Sequence, residues 1–313
     1  MKTRIVIGTR QSQLALWQAE YVASRLRAQY PALEVSLQHF VTHGDRVLDR
    51  PLPEIGGKGV FTAELESALR EGQIDLAVHS LKDLPTQMAD DFVIGAVSER
   101  ASPYDALISR AGYHLATLPQ GATVGTSSLR RVAQIKAARP DLNTLQLRGN
   151  VPTRIDKARR ADSAYDAIIL AVAGLDRLNR DGEITEVLSP EIMLPAPAQG
   201  ALAVQCRAGD SAVRELLAAL DHAETRCAVE AERAFLNKLD SGCRLPVAAL
   251  ATINGDTVQL TGRVCNLDGS TVITVSGEAA KSDALALGER LAQRALAQGA
   301  GELLAAVKES MSL

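Results

Sequence analysis

Three times this chain runs from a short apolar stretch through a turn bearing arginine into a helix-patterned segment. The first passage is Arg4–Ile7, then Gly8-Thr9-Arg10-Gln11-Ser12, then a helix from Leu14 to Tyr30 spaced through Leu14, Trp17, Tyr21, Val22 and Leu26. The second is TVGTSSLRR at 123–131: an apolar run over Ala122–Val124, Gly125, the hydroxyls of Thr126, Ser127 and Ser128, and a helix from Leu129 to about Ala138. The third is a strand over Leu145–Leu147, then Arg148-Gly149-Asn150 and a helix carrying Arg154. Strand ends that open helices gather free backbone N–H groups and a positive dipole end at one spot. In open α/β sheets that spot is where ligands sit.

Arg130 and Arg131 stand in a first turn, where their charge opposes the helix dipole. A negative group is needed to compensate, and a bound carboxylate or phosphate is the candidate. From Thr123 to Arg160 there are nine Lys or Arg against two Asp, a local balance of +7 in a chain whose net charge is −3. A solvated basic face is the plainer alternative. Only eight of the 34 basic residues are lysine, and arginine is the residue for bidentate carboxylate or phosphate recognition. An acidic chain with 3% aromatic residues suits neither a phosphate-backbone binder nor a single-strand stacking platform.

The other passages place the remaining candidates. Strands are expected over Val35–Val41, Ile74–Val78, Phe92–Val97, Ala167–Val172 and Ala201–Cys206, with a helix over Phe61–Glu71. The Ile74–Val78 strand ends in HSLKDLP at 79–85, which sets Lys82 and Asp83 beside His79. Asp83 is a catalytic acid or base, a counter-ion for a cationic intermediate, or an aspartate in a turn before proline. The polar stretch Asp45–Lys58, followed by Gly59, is rich in glycine and proline but lacks P-loop spacing, and it reads as a lid or a linker. Glu99–Asp105 and Leu194–Pro197 read as crossings between two similar lobes with a cleft between them. From Ala223 the texture changes. A helix over Asp221–Leu239, strands over Val247–Ile253, Val258–Val264 and Thr271–Gly277, and helices over Ala284–Ala297 and Glu302–Lys308 make a small α+β domain.

The four cysteines, Cys206, Cys227, Cys243 and Cys265, form no CxxC pair and no metal-ligand spacing, so no metal and no disulfide framework are expected. Cys243 stands in a glycine-containing loop beside Arg244, a cation that favours thiolate. No signal-peptide core and no membrane-length apolar run are present, and a reducing cytoplasm is expected.

HSLKDLP at 79–85, GTSSLRR at 125–131, LRGNVPTR at 147–154, AIILAVAGLDRL at 167–178 and SGCRLP at 241–246 occur in this order. With the IGGKG loop and the opening GTRQSQLALWQA, they resemble the porphobilinogen deaminase (hydroxymethylbilane synthase) family over essentially the whole chain. The resemblance implies an α/β fold of two periplasmic-binding-protein-like (type II) lobes with mixed sheets plus a small α+β C-terminal domain. The corresponding boundaries are 1–98 with 199–220, 103–195, and 223–313. It implies a transferase that joins four porphobilinogen molecules head to tail with loss of ammonia, for tetrapyrrole synthesis.

It also implies a covalent dipyrromethane cofactor held as a thioether on Cys243, with Asp83 as the catalytic carboxylate. Ser80, Lys82, Thr126, Ser128, Arg130, Arg131 and Arg148 match cofactor-binding positions, and Arg10, Arg154, Arg177 and Lys58 match substrate-binding ones. Each porphobilinogen carries an acetate and a propionate, so a growing chain is a dense polyanion suited to arginines and helix N-termini. Loss of ammonia leaves an azafulvene-type cation that a carboxylate can stabilise. A monomer without nucleic-acid or membrane partners is implied. Three positions depart from the family pattern: Glu54 for a lysine, Ala198 for a glycine in PAPAQG, and Ser241 for the first glycine of GGC. The alternative is a non-catalytic two-lobe anion-binding protein, which leaves Cys243 and the third domain without a role.

Overall fold

The structure, a computed structural model, describes residues 2–42, 62–239 and 245–312. The expected loop at 45–58, with Glu54 and Lys58, and the turn holding Ser241, Cys243 and Arg244 lie outside the described residues. The chain divides into two compact units, Met1–Ala101 with Ala201–Arg226, and Ser102–Gly200 with Cys227–Leu313.

The first unit begins with β1 (Arg4–Arg10), α1 (Gln13–Gln29), β2 (Glu34–Phe40), α2 (Ala63–Arg70), β3 (Leu76–Ser80) and β4 (Phe92–Val97). The second takes up the chain with β5 (Asp105–Ser109), β6 (Thr123–Gly125), α3 (Leu129–Ala138), β7 (Asn143–Leu145), α4 (Val151–Arg159), β8 (Ala167–Ala171), α5 (Val172–Asp176) and β9 (Glu186–Val187). The chain then returns to the first unit with β10 (Leu202–Arg207) and α6 (Ser211–Ala218). The two five-stranded sheets share one plan. Their orders are β2-β1-β3-β10-β4 and β7-β6-β8-β5-β9. In each, three parallel strands adjoin an antiparallel strand brought from another part of the chain. This is the expected two-lobe arrangement with mixed sheets.

Ile5 and Ile7 of β1 and Leu76 and Val78 of β3 pack under α1. Ser12 caps that helix, its hydroxyl accepting from Ala15 N at 3.3 Å. The buried face of α1 is Ala15, Gln18, Ala19, Val22, Ala23 and Leu26, while Trp17 lies outside, stacked on Tyr21. The sequence spacing placed Trp17 on the inner face. Alanines won because small residues let the helix lie close to the sheet. At Gly8, a Cβ would stand 2.3 Å from Ile74 Cδ1, so glycine is needed for that side chain to cover the strand.

The C-terminal region adds α7 (Ala223–Lys238), β11 (Val247–Asn254), β12 (Thr257–Cys265), β13 (Val272–Ala280), α8 (Ala284–Ala297) and α9 (Ala300–Ser312). The three strands form an antiparallel meander with a core of their own, centred on Phe235, Leu260, Leu287 and Leu291. Residues 227–313 nevertheless belong to the same compact unit as the second lobe. The docking surface is α3: Leu129 packs on the C-terminal core, Arg263 Nη1 donates to Gln134 Oε1 at 2.9 Å, and the turn at Gly269 lies against the backbone of Lys136 and Ala137.

Helices α7 and α8 touch at Gly288, where a Cβ would stand 2.2 Å from Ala231 O and 2.9 Å from Phe235 N. Backbone atoms cannot swing aside as a side chain can, so Gly288→Ala forces the helices apart. We expect a loss of about 1–3 kcal/mol in urea unfolding. An unchanged midpoint and slope would show that the two helices are free to separate.

Candidate functional site

In the first unit, β1 and β3 run parallel with Ile7 opposite Leu76, which brings their carboxyl ends together. Arg10 closes β1 and Ser80 closes β3. Ser80 Oγ accepts from Gln18 Nε2 at 2.9 Å, so α1 fixes its orientation. A single 3-10 turn, Leu81–Asp83, follows. It is anchored by the buried Leu81 and Leu84 and by Leu81 N donating to Ala201 O at 3.0 Å. The anchor leaves Lys82 half-buried and Asp83 exposed at the strand end.

His79 lies beneath this turn, with Nε2 3.0 Å from Gln205 Oε1. Gln205 Nε2 donates in turn to Glu66 Oε1 at 3.1 Å. Burial pushes the His79 pKa down to about 4; the hydrogen bond that Nε2–H donates to Gln205 Oε1 opposes the shift, and the charge of Arg10 adds to it. His79 is therefore neutral near pH 7, so Lys82, next to Asp83 in the chain, and Arg10, which closes β1, rather than His79 bring positive charge to these strand ends. The unfolded histidine titrates near 6.5, so between about 4 and 6.5 the unfolded chain binds the extra proton. The contribution of His79 is fully present above that window and is lost as pH falls through it, by about 3 kcal/mol at the low end. We expect His79→Gln to flatten the stability profile over this range, measured by urea unfolding at pH 7 and pH 4.5. Parallel acid losses in wild type and variant would show that His79 is protonated in the fold.

In the second unit, β6, β7 and β8 are parallel and their carboxyl ends carry Thr126, Arg148 and the turn into α5. Thr126 Oγ1 accepts from Ser128 N at 3.2 Å, and Ser127 Oγ donates to Leu147 O at 2.6 Å. Ser128 stands at the α3 N-cap without a side-chain capping bond, so the first-turn amides have no side-chain partner there. Arg154 Nε donates to Gly149 O at 2.7 Å, and Arg177, buried at the end of α5, donates from Nη2 to Gly200 O at 2.6 Å.

The negative charge that Arg130 and Arg131 require comes first from inside the lobe, which corrects the expectation of a ligand alone. Asp105, fully buried at the start of β5, accepts from Arg130 Nη2 and Arg131 Nη2, each at 2.7 Å. Arg130 Nη1 also donates to Leu194 O and Arg131 Nη1 to Ile169 O, both at 2.8 Å. Burial pushes the Arg130 pKa down, and the charge of Asp105 opposes the shift. Asp105 was not legible as a partner. It reads as the end of a polar crossing, and no spacing rule connects it to arginines 25 and 26 residues later.

Two charges against one leave this cluster at +1. Arg131 Nε and Arg148 Nη1 are buried and have no acceptor among the described residues. A buried donor without an acceptor carries a cost, of about 1–3 kcal/mol, that a ligand carboxylate relieves. The donor set thus fits a ligand bearing several carboxylates.

Two of the remaining thiols are poor nucleophiles. Burial pushes Cys206 and Cys265 each up to about 11. Cys227 is half-buried on α7, its Sγ 3.6 Å from Lys281 O. Ala198, one of the departures from the family pattern, has φ +64° and is buried, its N–H donating to Glu232 Oε2 at 2.6 Å. Glycine is favoured there because alanine in this conformation costs about 1–2 kcal/mol.

Residues 5–215 match the family model described as porphobilinogen deaminase, dipyromethane cofactor binding domain, and residues 226–297 match its C-terminal domain. The chain is 50% identical over 304 residues to the porphobilinogen deaminase of Moorella thermoacetica, covering 97% of this chain and 96% of that one. It is 49% identical to that of a Roseiflexus species and 50% identical to that of Xanthomonas oryzae pv. oryzae, in each case over 97% of this chain and all of the relative. Among the described residues no helix is long and apolar enough to cross a membrane.

Proposed function

The chain belongs to the porphobilinogen deaminase family, and we propose that Asp83, Cys243 and the arginines at the strand ends carry that family's reaction in it. The reaction is that of a hydroxymethylbilane synthase, a transferase that condenses four porphobilinogen molecules head to tail with release of ammonia. A covalently held dipyrromethane supplies the primer on which the chain is built. A purely anion-binding role is not favoured, because it leaves the family-wide match of both domains without a purpose.

Cys243 holds the primer. Thr126, Ser128, Arg130, Arg131 and Arg148, with Ser80 and Lys82, bind its polar groups. Arg10, Arg154, Arg177 and Lys58 bind the acetate and propionate of incoming porphobilinogen. Arginine stays protonated throughout, so these residues orient and neutralise rather than transfer protons. Asp83 stabilises the positive charge that develops as porphobilinogen loses ammonia, and it is placed to assist the accompanying proton transfers. The observation that carries this reading is the pair of buried guanidinium donors, Arg131 Nε and Arg148 Nη1, that lack acceptors beside a surplus positive charge.

Purified protein incubated with porphobilinogen should release ammonia and form hydroxymethylbilane. Absence of both products from protein carrying the primer would overturn the reading. The chain should act as a monomer in the cytoplasm, without nucleic acid, and its mass in solution checks the first point.

Arg148→Leu is the cleanest arginine variant. Arg148 is half-buried and joins no ion pair among the described residues, whereas truncating Arg130 or Arg131 also strips a partner from the buried Asp105, at about 3–5 kcal/mol. We expect Arg148→Leu to fold and to lose about 10- to 100-fold in kcat/KM, the value of one charge-assisted hydrogen bond. Kinetics within twofold of wild type would remove Arg148 from the binding set.

A further inference from the structure

We propose that Asp105 is a positioning residue for the carboxylate-binding arginines, holding the plane of Arg131 so that its Nε–H is presented to a ligand carboxylate. The proposal rests on the reading above that these arginines bind the carboxylates of pyrrole units. A guanidinium is planar, so fixing both of its Nη atoms fixes the direction of Nε–H. In Arg131 both are fixed, Nη1 by Ile169 O and Nη2 by Asp105 Oδ1. Nε is then the buried donor left over. Arg130 is held in the same way by Leu194 O and Asp105 Oδ2, so one carboxylate serves both forks.

Asp105 is itself held. Gln199 Nε2 donates to its Oδ1 at 2.9 Å and to Pro103 O at 2.7 Å. The carboxylate is fully buried at the start of β5, which pairs with β8, the strand that supplies Ile169 O. One aspartate thereby holds both cations at the start of β5. It cancels only half of their charge, so the cluster retains +1 for a ligand. A residue serving the fold alone would be better matched by one arginine, because buried surplus charge is costly unless a partner arrives.

The test compares wild type, Asp105→Asn and Gln199→Leu as full-length protein. Four quantities are read: melting temperature, the fraction carrying the mass of two pyrrole units, and KM and kcat for porphobilinogen. Asparagine offers an N–H group to one of the two forks and raises the cluster to +2, so the fixed plane is lost. We expect folded Asp105→Asn to show a fraction carrying the two-pyrrole mass reduced about tenfold, with turnover falling in proportion. A lower melting temperature with unchanged KM and unchanged loading would make Asp105 a structural residue and overturn the proposal.

Should Asp105→Asn fail to fold, Gln199→Leu decides, since it removes one donor and no charge. A reduced fraction carrying the two-pyrrole mass at an unchanged melting temperature supports the proposal, and unchanged loading overturns it. Wild-type protein that neither carries the two-pyrrole mass nor consumes porphobilinogen would overturn the functional reading first. Normal wild type with a normal folded Asp105→Asn overturns this proposal alone.

Discussion

We expect Asp83→Asn to fold like the wild type and to turn over about 100- to 1000-fold more slowly, the loss that follows when one preorganised electrostatic group is removed from a developing charge. The structural half of this expectation comes from the turn. Leu81 and Leu84 are buried on either side and hold the backbone, while the Asp83 side chain is exposed. Asparagine is nearly isosteric, so packing and turn geometry persist and the charge alone is lost. The chemical half comes from the leaving ammonia, whose departure puts positive charge on a pyrrole. Lys82 on one side and Arg10 at the neighbouring strand end repel that charge, so a carboxylate is needed to outweigh them. Ammonia release measured in a single turnover, beside a melting curve, separates the two halves. A folded variant within about threefold of wild type would exclude an electrostatic role for Asp83.

We expect Cys243→Ser to lack both the two-pyrrole mass and turnover. A thiolate adds to the electrophilic carbon left when a porphobilinogen loses ammonia, forming a carbon–sulfur bond, whereas serine is neutral near pH 7 and a far weaker nucleophile. The other cysteines do not substitute for it. Cys206 and Cys265 are buried thiols pushed up to about 11, which keeps them protonated, and Cys227 lies half-buried along a helix. Intact mass should exceed the sequence mass by two pyrrole units, and peptide mapping should place the excess on the peptide containing Cys243. Active wild type with an unmodified Cys243 would refute the tether and most of the mechanism built on it.

Some elements were legible residue by residue. Phe92–Val97 and Ala284–Ala297 take the bounds that their apolar patterns predict. In each, burial and backbone pairing select the same residues. The strand expected at Leu145–Leu147 instead lies at Asn143–Leu145. Leu147 is buried in the core beyond the strand end, while Leu145 is largely exposed, so here hydrophobicity marks packing and not the hydrogen-bonded ladder. The helix Ser211–Ala218 is not among the elements expected from the sequence, although Asp210 caps it by accepting from Val213 N.

The sequence by itself determined the α/β class, the arginine-bearing turns after strands, and the ordered motifs that identify the family. These are local: they depend on period, on turn chemistry and on neighbours a few residues apart. Tertiary structure alone decided which charges meet. It placed Asp105 against Arg130 and Arg131, Gln205 against His79, and α3 between its own sheet and the C-terminal meander. Such pairs join elements distant in sequence, and a buried charge takes whatever partner the tertiary arrangement brings within hydrogen-bonding distance. Arginines that read as a ligand's alone are therefore shared with an aspartate that no spacing predicts.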